Sequence, residues 1–418
     1  MLDVLFFSEF SPHSAAGGIV LGTHPLASPK PMKRSLWFFT LSPALALLLS
    51  SSVSTADEPA TILSQGTVCK EAGRYIGWPT ITRTRDGELL VVFSGDRDAH
   101  ICPWGKTQMV RSHDDGKTWS EPQTINNSPL DDRDAGIIQT KSGALLVSWF
   151  TSTAFMYPEK LKWQNLPPEL LASWQRHIAK ISPATIVADH GNWTRRSVND
   201  GQTWEKPVKT VGSAPHGPIQ LQDGRLLYVG LSTHEKVLKL GVEESRDDGR
   251  SWQYLAEIPV AEEDQHDPDW RVRMQDEPHV VELPDGKLVA MIRAEPKDHS
   301  QTYLRQTEST DGGKTWTVTH KTPIYGYPPH LLLLKNGWLV VVYGVRREPF
   351  GEHACLSKDG GKTWDVEHEI TLRTAPNSDL GYPSSVQLAD GSIYTVYYQI
   401  DQAGEKTSLL STHWRLNQ

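Results

Sequence analysis

The stretch YPSSVQLADGSIYTVYYQ, residues 382–399, alternates apolar and polar residues on either side of an Asp-Gly pair. This pattern predicts a β-hairpin, because a tight turn between two strands needs residues that accept a positive φ. The hairpin phrase occurs five more times in the chain. Its copies are WPTITRTRDGELLVVF from Trp78, DAGIIQTKSGALLVSWF from Asp134, HGPIQLQDGRLLYVG from His216, EPHVVELPDGKLVAMIR from Glu277 and YPPHLLLLKNGWLVVVY from Tyr327.

A second motif, Ser-x-Asp/Asn-x-Gly-x-Thr/Ser-Trp, falls between the hairpins. Its five copies are SHDDGKTW from Ser112, SVNDGQTW from Ser197, SRDDGRSW from Ser245, STDGGKTW from Ser309 and SKDGGKTW from Ser357. The Asp or Asn side chain can accept hydrogen bonds from the backbone of a tight turn, and the Trp packs beneath it. We interpret these turns as structural, since they lack the closing Glu of an EF-hand calcium loop.

Six hairpins at similar spacing predict an all-β, six-bladed β-propeller over residues 60–418. The chain ends soon after the third strand of the sixth unit, so ATILSQGTV, residues 60–68, is predicted to supply the missing outer strand. The segment 157–193 contains PPELLASWQRHIAKIS and predicts a small helical insertion in blade 2. This insertion is either a lid over a site or a surface feature.

The composition is that of a globular protein, with 38% hydrophobic residues in 418. A formal charge of −8 argues against a nucleic-acid surface. Three cysteines show no metal-binding spacing, and pairing of Cys69 with Cys102 stays open. No cofactor is predicted, and the oligomeric state is open.

The N-terminal segment 1–56 is interpreted as an extension plus a secretory signal peptide. The peptide, MKRSLWFFTLSPALALLLSSSVSTA, begins at Met32 with two basic residues and ends with small residues at Ala56. An uncleaved membrane anchor is the alternative, and no other segment is apolar enough to span a bilayer. We therefore expect a secreted or periplasmic protein.

The meander of each blade predicts where side chains for chemistry lie. If each inner strand runs from the top face down to its hairpin turn, the Trp-bearing boxes lie at the bottom. The first residues of the inner strands then ring one cavity at the top, and hairpin pairing brings Glu277 beside Arg293. Other residues placed near the top are Trp78, Arg133, Asp134, His216, Asp276, His279, Tyr327, His330 and Tyr382.

The boxes and hairpins together resemble the sialidase (neuraminidase) superfamily, in which the boxes are called Asp boxes. Sortilin-type receptors and photosystem assembly factors carry such boxes too. The resemblance implies a tyrosine nucleophile polarised by a glutamate, an aspartate as acid/base and three arginines that bind the substrate carboxylate. The matching residues are Tyr382 in GYPSSVQLADG, Glu277 in DEPHVVELPDG, Arg293 in LVAMIR and Asp98 in GDRDAH, with Asp96 and His100 as rivals of Asp98.

Two arginine positions depart from the family pattern. Gly77 occupies the first-blade position, with Arg74 as a possible substitute, and Tyr327 occupies the fifth-blade position, with Arg346 and Arg347 nearby. The remaining residues predicted to bind substrate are Arg97, His100, Arg133, Asp134, His216 and His279. Several histidines near the top face point to a pocket altered for another acidic, sulfated or neutral sugar. No histidine pair has the helical spacing of a metal site, so none is predicted.

The resemblance thus implies an exo-glycosidase that hydrolyses a terminal, acidic sugar from a glycan. A non-catalytic propeller that binds a glycan or a protein is the alternative from another class. A glycosidase of the same fold that acts on a different sugar is a further alternative.

Overall fold

The computed structural model describes residues 58–265, 275–296 and 298–417. The predicted signal peptide lies outside these residues. Strands dominate the chain and form six antiparallel sheets. Blades 1 to 3 contain β2 (Tyr75–Arg83), β3 (Leu89–Arg97), β4 (Lys106–Ser112), β5 (Gln123–Asn126), β6 (Asp131–Gln139), β7 (Leu145–Ser152), β8 (Gly191–Ser197), β9 (Val208–Thr210), β10 (Gly212–Ser213), β11 (Ile219–Gln220), β12 (Leu226–His234), β13 (Val237–Ser245) and β14 (Gln253–Glu257).

Each later blade repeats the same four-stranded meander. Blades 4 to 6 contain β15 (Asp276–Glu282), β16 (Leu288–Arg293), β17 (Tyr303–Ser309), β18 (His320–Tyr325), β19 (Pro329–Leu333), β20 (Leu339–Val345), β21 (Gly351–Ser357), β22 (Ile370–Thr374), β23 (Gly381–Gln387), β24 (Ile393–Ile400), β25 (Thr407–Leu416) and β1 (Ala60–Cys69). Strands of neighbouring blades contact one another around the ring. The predicted six-bladed propeller is confirmed.

The N-terminal strand closes the ring as the sequence predicts. β1 pairs antiparallel with β25, from Ala60 opposite Leu416 to Cys69 opposite Leu409. The sixth sheet therefore has the order β1-β25-β24-β23 and joins the two ends of the propeller. β1 thus covers the edge of β25 and becomes the outer edge strand of this blade.

Apolar residues of facing sheets form the core between neighbouring blades. Five clusters fill the junctions of blades 6 and 1, 1 and 2, 3 and 4, 4 and 5, and 5 and 6. In the described part of the chain, blades 2 and 3 meet differently. Near the axis their backbones approach closely at Gly136 and Gly217, and further out a cleft of about 330 Å³ remains between them.

The close approach at Gly136 gives a prediction for stability. An added Cβ would lie 2.4 Å from the backbone nitrogen of Gly217, so the two strands would have to move apart. We expect Gly136→Ala to lower the free energy of unfolding by about 1–3 kcal/mol. Gly66→Ala is the control, since its Cβ would meet only the Ser411 hydroxyl at 3.4 Å. Equal denaturant midpoints for the two variants would contradict the expected crowding.

The Asp boxes follow the third strand of blades 1 to 5. In the first, Asp114 Oδ1 accepts hydrogen bonds from the Ser112 hydroxyl at 2.7 Å and the Thr118 amide at 2.9 Å. The Thr118 hydroxyl donates to Oδ2 at 2.7 Å, and these bonds lower the pKa of Asp114 to about 2. Both carboxylate oxygens thus fix the turn, at the end of the blade opposite the first residues of the inner strands.

Short helices interrupt blade 2 between β7 and β8. They comprise the 3-10 turns Ala154–Met156, Pro158–Lys160 and Lys162–Gln164, and the helices α1 (Pro168–Ile178) and α2 (Pro183–Asp189). α1 begins at a proline and buries Trp174 against Phe155 and Leu161, which confirms the predicted helical insertion. Elsewhere, α3 (Glu262–Gln265) and the turn His299–Gln301 complete the helical elements that the structure describes.

The remaining features concern cysteine and membrane segments. Cys69, Cys102 and Cys355 are buried thiols, so the pairing that was left open is not formed. Within the described ranges, no helix is both long and apolar enough to cross a bilayer.

Candidate active site

Four inner strands break their pairing register near the top face. The breaks lie at Gly77/Thr80, Arg133/Gly136, Asp276/His279 and Gly381/Ser384. At each break one non-glycine residue has a positive φ, namely Trp78 (56°), Asp134 (49°), Glu277 (45°) and Tyr382 (52°). Such residues store about 1–3 kcal/mol of strain each, and a bulge turns a side chain in a new direction. Four blades therefore present the same bulged position near the axis.

Tyr382 and Glu277 meet at the centre of this arrangement. The Tyr382 hydroxyl donates to Glu277 Oε1 at 2.5 Å, while Arg293 Nη1 lies 2.5 Å from Oε2 and 3.2 Å from the phenolic oxygen. Burial and the negative charge of Glu277 raise the pKa of Tyr382 well above its usual value. The phenol is therefore protonated at neutral pH, and its proton points at a base. This geometry allows Glu277 to accept the proton as the oxygen attacks an electrophile.

Arg293 is engaged with carboxylates on both sides. Its Nε donates to Glu295 Oε2 at 2.9 Å, its Nη2 also contacts Glu295, and Asp276 Oδ1 lies 3.7 Å from Nε. In this arrangement Arg293 orients Glu277, whereas the resemblance implied a guanidinium group that binds the substrate carboxylate. Glu295 is not among the residues predicted for the site, although IRAEP places a carboxylate two residues after Arg293.

Tyr327 separates Arg293 from a second arginine. The guanidinium carbon of Arg293 lies 4.5 Å from the ring centre of Tyr327, and that of Arg346 lies 4.9 Å away. Arg346 also lies 5.8 Å from the ring of Tyr382. Arg347 instead stacks on Tyr325 at 3.5 Å. Of the two arginines that end this hairpin, Arg346 is the one beside the Tyr382 group.

Asp98 and Arg74 lie apart from this group. Asp98 Oδ2 accepts hydrogen bonds from the indole nitrogens of Trp104 and Trp174, at 2.9 Å for Trp174, and Oδ1 accepts one from Arg74. Among the described residues, neither Asp98 nor Arg74 forms a hydrogen bond or ion pair with Tyr382, Glu277 or Arg293. Three donors thus engage this carboxylate, and both of its oxygens have partners within the protein.

The hydrogen bonds of Asp98 and Arg74 indicate a structural role for both residues in this structure. Asp98 anchors α1 through Trp174. Arg74 forms ion pairs with Asp98 and Asp96. Its Nε lies 3.0 Å from Asp96 Oδ1. Arg74 is thus engaged by two carboxylates, and its role as a substitute for the missing clamp arginine stays a prediction.

Trp78 is surrounded by cationic and aromatic groups. The guanidinium carbons of Arg133 and Arg97 lie 4.5 Å and 5.0 Å from its ring centre, and the His100 ring lies 4.9 Å away. Burial and the neighbouring arginines lower the pKa of His100 well below its usual value. The His100 side chain is therefore neutral at pH 7.

Three histidines pack together below the top face. His279 and His330 stack with ring centres 4.2 Å apart, and His216 lies 5.5 Å and 4.9 Å from them. The Leu331 amide donates to His279 Nδ1 at 3.0 Å, and burial lowers the pKa of His279 to about 3. Among the described side chains, no group of His, Cys, Asp or Glu has a metal-binding arrangement. His216 and His279, predicted to bind substrate, form a neutral packed cluster.

Comparison with protein families identifies the repeat. A protein-family model described as a BNR repeat-like domain matches residues 169–395. A xyloglucanase of Acetivibrio thermocellus is 28% identical over 170 residues, which are 37% of this chain and 19% of that protein. The chain thus matches about a fifth of the length of this curated relative.

Solved structures share the fold. A protein of unknown function from Dyadobacter fermentans aligns with a TM-score of 0.68 and 22% identity, over 86% of this chain and 100% of that one. The intramolecular trans-sialidase of Ruminococcus gnavus gives 0.56 and 14%, over 82% and 94%. The α-L-arabinanase of Penicillium chrysogenum gives 0.54 and 15%, over 84% and 98%. These likenesses agree with the sialidase-type propeller that the Asp boxes predict.

Proposed function

Because the chain belongs to the family of BNR repeat-like domains, we propose that it is a glycoside hydrolase that removes a terminal acidic sugar from a glycan. Proteins of this fold include a trans-sialidase and an arabinanase, and a xyloglucanase is a distant relative in sequence. The observation that carries the proposal is the hydrogen bond of the Tyr382 hydroxyl to Glu277, with Arg293 beside both groups.

In the proposed reaction Tyr382 is the nucleophile. Glu277 takes the phenolic proton while the oxygen attacks the anomeric carbon, and the glycosyl–tyrosine bond is then hydrolysed by water with retention of configuration. Arg293 holds Glu277 in line with the phenol. A nucleophile that is neutral until attack suits an acidic sugar, since a carboxylate nucleophile would be repelled by the sugar's own charge.

Arg346 is the group that we assign to the acidic substituent. Its guanidinium lies against the rings of Tyr327 and Tyr382, so a sugar bound at the nucleophile would have its anionic group within reach of this side chain. Arginine binds carboxylates through two parallel hydrogen bonds. The glycan is met outside the cytoplasm if residues 32–56 act as a signal peptide.

A propeller that only binds glycans is the second candidate. In such a protein the tyrosine at the start of β23 would serve packing, and its hydroxyl would need no base. The pairing of the hydroxyl with Glu277, rather than with the blade interior, favours the enzyme.

A panel of aryl glycosides tests the proposal. The panel contains a sialoside, a hexuronide and neutral hexosides, each incubated with the wild type, Tyr382→Phe and Tyr398→Phe. We expect the wild type to cleave an acidic glycoside and Tyr382→Phe to lower kcat by at least ~10³-fold, because the nucleophile is lost.

Tyr398→Phe is the matched control in this panel. Its ring lies 5.9 Å from that of Tyr382, but no contact to Glu277 appears among the described residues. Its activity should stay close to that of the wild type. Cleavage of none of the glycosides by the wild type, or full activity of Tyr382→Phe, would refute the proposal.

A further inference from the structure

The cleft between blades 2 and 3 adjoins a small pocket beside two of the bulged residues. Phe150, Ser213 and Leu231 line the cleft and also line a small pocket that contains Asp134 and Glu277. Phe150 lies two residues before the end of the second hairpin strand of blade 2, while Ser213 and Leu231 belong to blade 3. The cleft and this small pocket, which is lined by Asp134 and Glu277, therefore share part of their walls.

The residues that line this cleft suit a neutral or negatively charged sugar residue. Phe150, Leu231 and Leu238 provide apolar surface, while Asn192, Thr233 and Lys209 provide polar groups. Its described lining contains no Asp or Glu. Apolar walls with a few polar groups are typical of small-molecule sites.

Asp134 lines the small pocket beside this cleft, together with Glu277. Its backbone amide donates to the Ser94 hydroxyl at 2.9 Å, which fixes the bulge. Its Oδ1 is buried and has no hydrogen-bond partner among the described residues; the nearest cation, Arg133 Nε, is 4.0 Å away. A buried carboxyl oxygen without a partner is unusual and calls for an explanation.

The blade order places Asp134 opposite the nucleophilic pair. Asp134, Glu277 and Tyr382 occupy the same bulged position of blades 2, 4 and 6, so they surround the axis at alternate blades. A proton donor to the departing oxygen must stand across the anomeric carbon from the nucleophile. Asp134 meets this requirement, whereas Asp98 is held by Arg74 and two tryptophans.

We propose that Asp134 is the acid/base of the reaction and that the cleft between blades 2 and 3 holds the departing part of the glycan. This proposal rests on the proposed glycosidase function. The Asp134 carboxyl gives its proton to the glycosidic oxygen as the bond to the sugar breaks and the Tyr382–sugar bond forms. Water then attacks the sugar, the Asp134 carboxylate takes a proton from that water, and the phenol regains its own proton from Glu277.

The charge environment supports this role. Burial raises the pKa of Asp134 to about 7, against the opposing effect of Arg133 and with a further rise from Glu277. Arg97 also opposes the rise, and Asp131 adds to it. Asp276, buried nearby, has a raised pKa for the same reason. A carboxyl with such a pKa is able to lose and regain a proton at neutral pH.

The dependence on the leaving group tests the assignment. Two glycosides of the same sugar are compared, one with a dinitrophenol and one with an alcohol as leaving group. For Asp134→Asn we expect kcat/KM on the alcohol glycoside to fall by about 10²–10⁴-fold, and on the dinitrophenyl glycoside by less than about tenfold. A dinitrophenolate needs no proton to depart, so only the poor leaving group depends on the acid.

Asp98→Asn and Asp276→Asn are the matched controls. Each removes one partly buried carboxylate and should change kcat/KM on both substrates by a similar factor. Equal losses for Asp134→Asn on both substrates, or a selective loss for Asp98→Asn, would overturn the assignment. If the wild type cleaves neither glycoside, the proposed function fails as well; if Tyr382→Phe is inactive and Asp134→Asn is unselective, the assignment fails alone.

A second variant tests the cleft. Thr233 lines its wall and is half-buried, so Thr233→Trp should fill the space between the blades. We expect KM for an oligosaccharide substrate to rise at least about tenfold more than KM for the dinitrophenyl glycoside. An equal rise in KM for the oligosaccharide and for the dinitrophenyl glycoside would show that the leaving group binds elsewhere.

Discussion

Glu277→Gln is expected to lower kcat by about 10²–10⁴-fold, the range of a lost general base. Glutamine keeps the size of the side chain and can still receive a hydrogen bond, but it cannot take the Tyr382 proton at neutral pH. The phenol then stays protonated, since burial disfavours its anion. The measurement is kcat on an acidic aryl glycoside, with thermal unfolding recorded to show that the propeller remains folded.

Glu295→Gln separates the loss of the base from the loss of charge. Glu295 contacts Arg293 just as Glu277 does, but no contact with Tyr382 appears among the described residues. We expect this variant to lose less than about tenfold in kcat, because the base remains in place. If both variants lose the same factor, the charge at Arg293 matters and the transfer of the proton to Glu277 does not.

The repeats made the fold predictable. A hairpin turn and a two-residue side-chain period fix which residues face each other, so the pairing that brings β15 and β16 together could be read from EPHVVELPDGKLVAMIR. In the structure Asp276 is the direct partner of Arg293, and Glu277 comes to the same arginine through the bulge. The sequence thus predicted the meeting of these residues without the backbone distortion that makes it possible.

The bulges left only a weak signal in the sequence. Trp78, Glu277 and Tyr382 each precede a proline, and Asp134 precedes an alanine. Proline restricts the residue before it and cannot pair within a sheet, so an early X-Pro in an inner strand is compatible with a break in register. Alternating apolar residues carry no information about such a break, and the direction of the Asp134 side chain was therefore not predictable.

The role of Asp98 depended on partners from distant segments. Trp104 belongs to the same loop, but Trp174 lies in the helical insertion, and Arg74 precedes the first inner strand. Motif position placed Asp98 near the top face. Which way its carboxylate turns is set by hydrogen bonds that no local pattern in the sequence specifies, so the predicted acid could not be distinguished from an anchor.

Loss of the Asp131 charge should have the largest effect on stability. Asp131 and Arg97 are both fully buried, and the carboxylate accepts hydrogen bonds from the guanidinium at 2.6 Å and 2.8 Å. We expect Asp131→Asn to lower the free energy of unfolding by about 3–5 kcal/mol, because Arg97 would stay buried without its counter-charge. Urea unfolding of the wild type and the variant measures this difference.

An exposed ion pair supplies the control for Asp131. Glu257 pairs with Lys239 at 2.6 Å, and its side chain is 51% exposed. Glu257→Gln should cost less than about 1 kcal/mol, since water screens the pair and solvates the remaining lysine. The double variant Arg97→Met with Asp131→Leu should recover part of the loss, because it leaves no unpaired charge inside the blade junction. If the Asp131→Asn protein is as stable as Glu257→Gln, Arg97 must find another counter-charge. Asp131 would then not be the residue that fixes Arg97 beside Trp78.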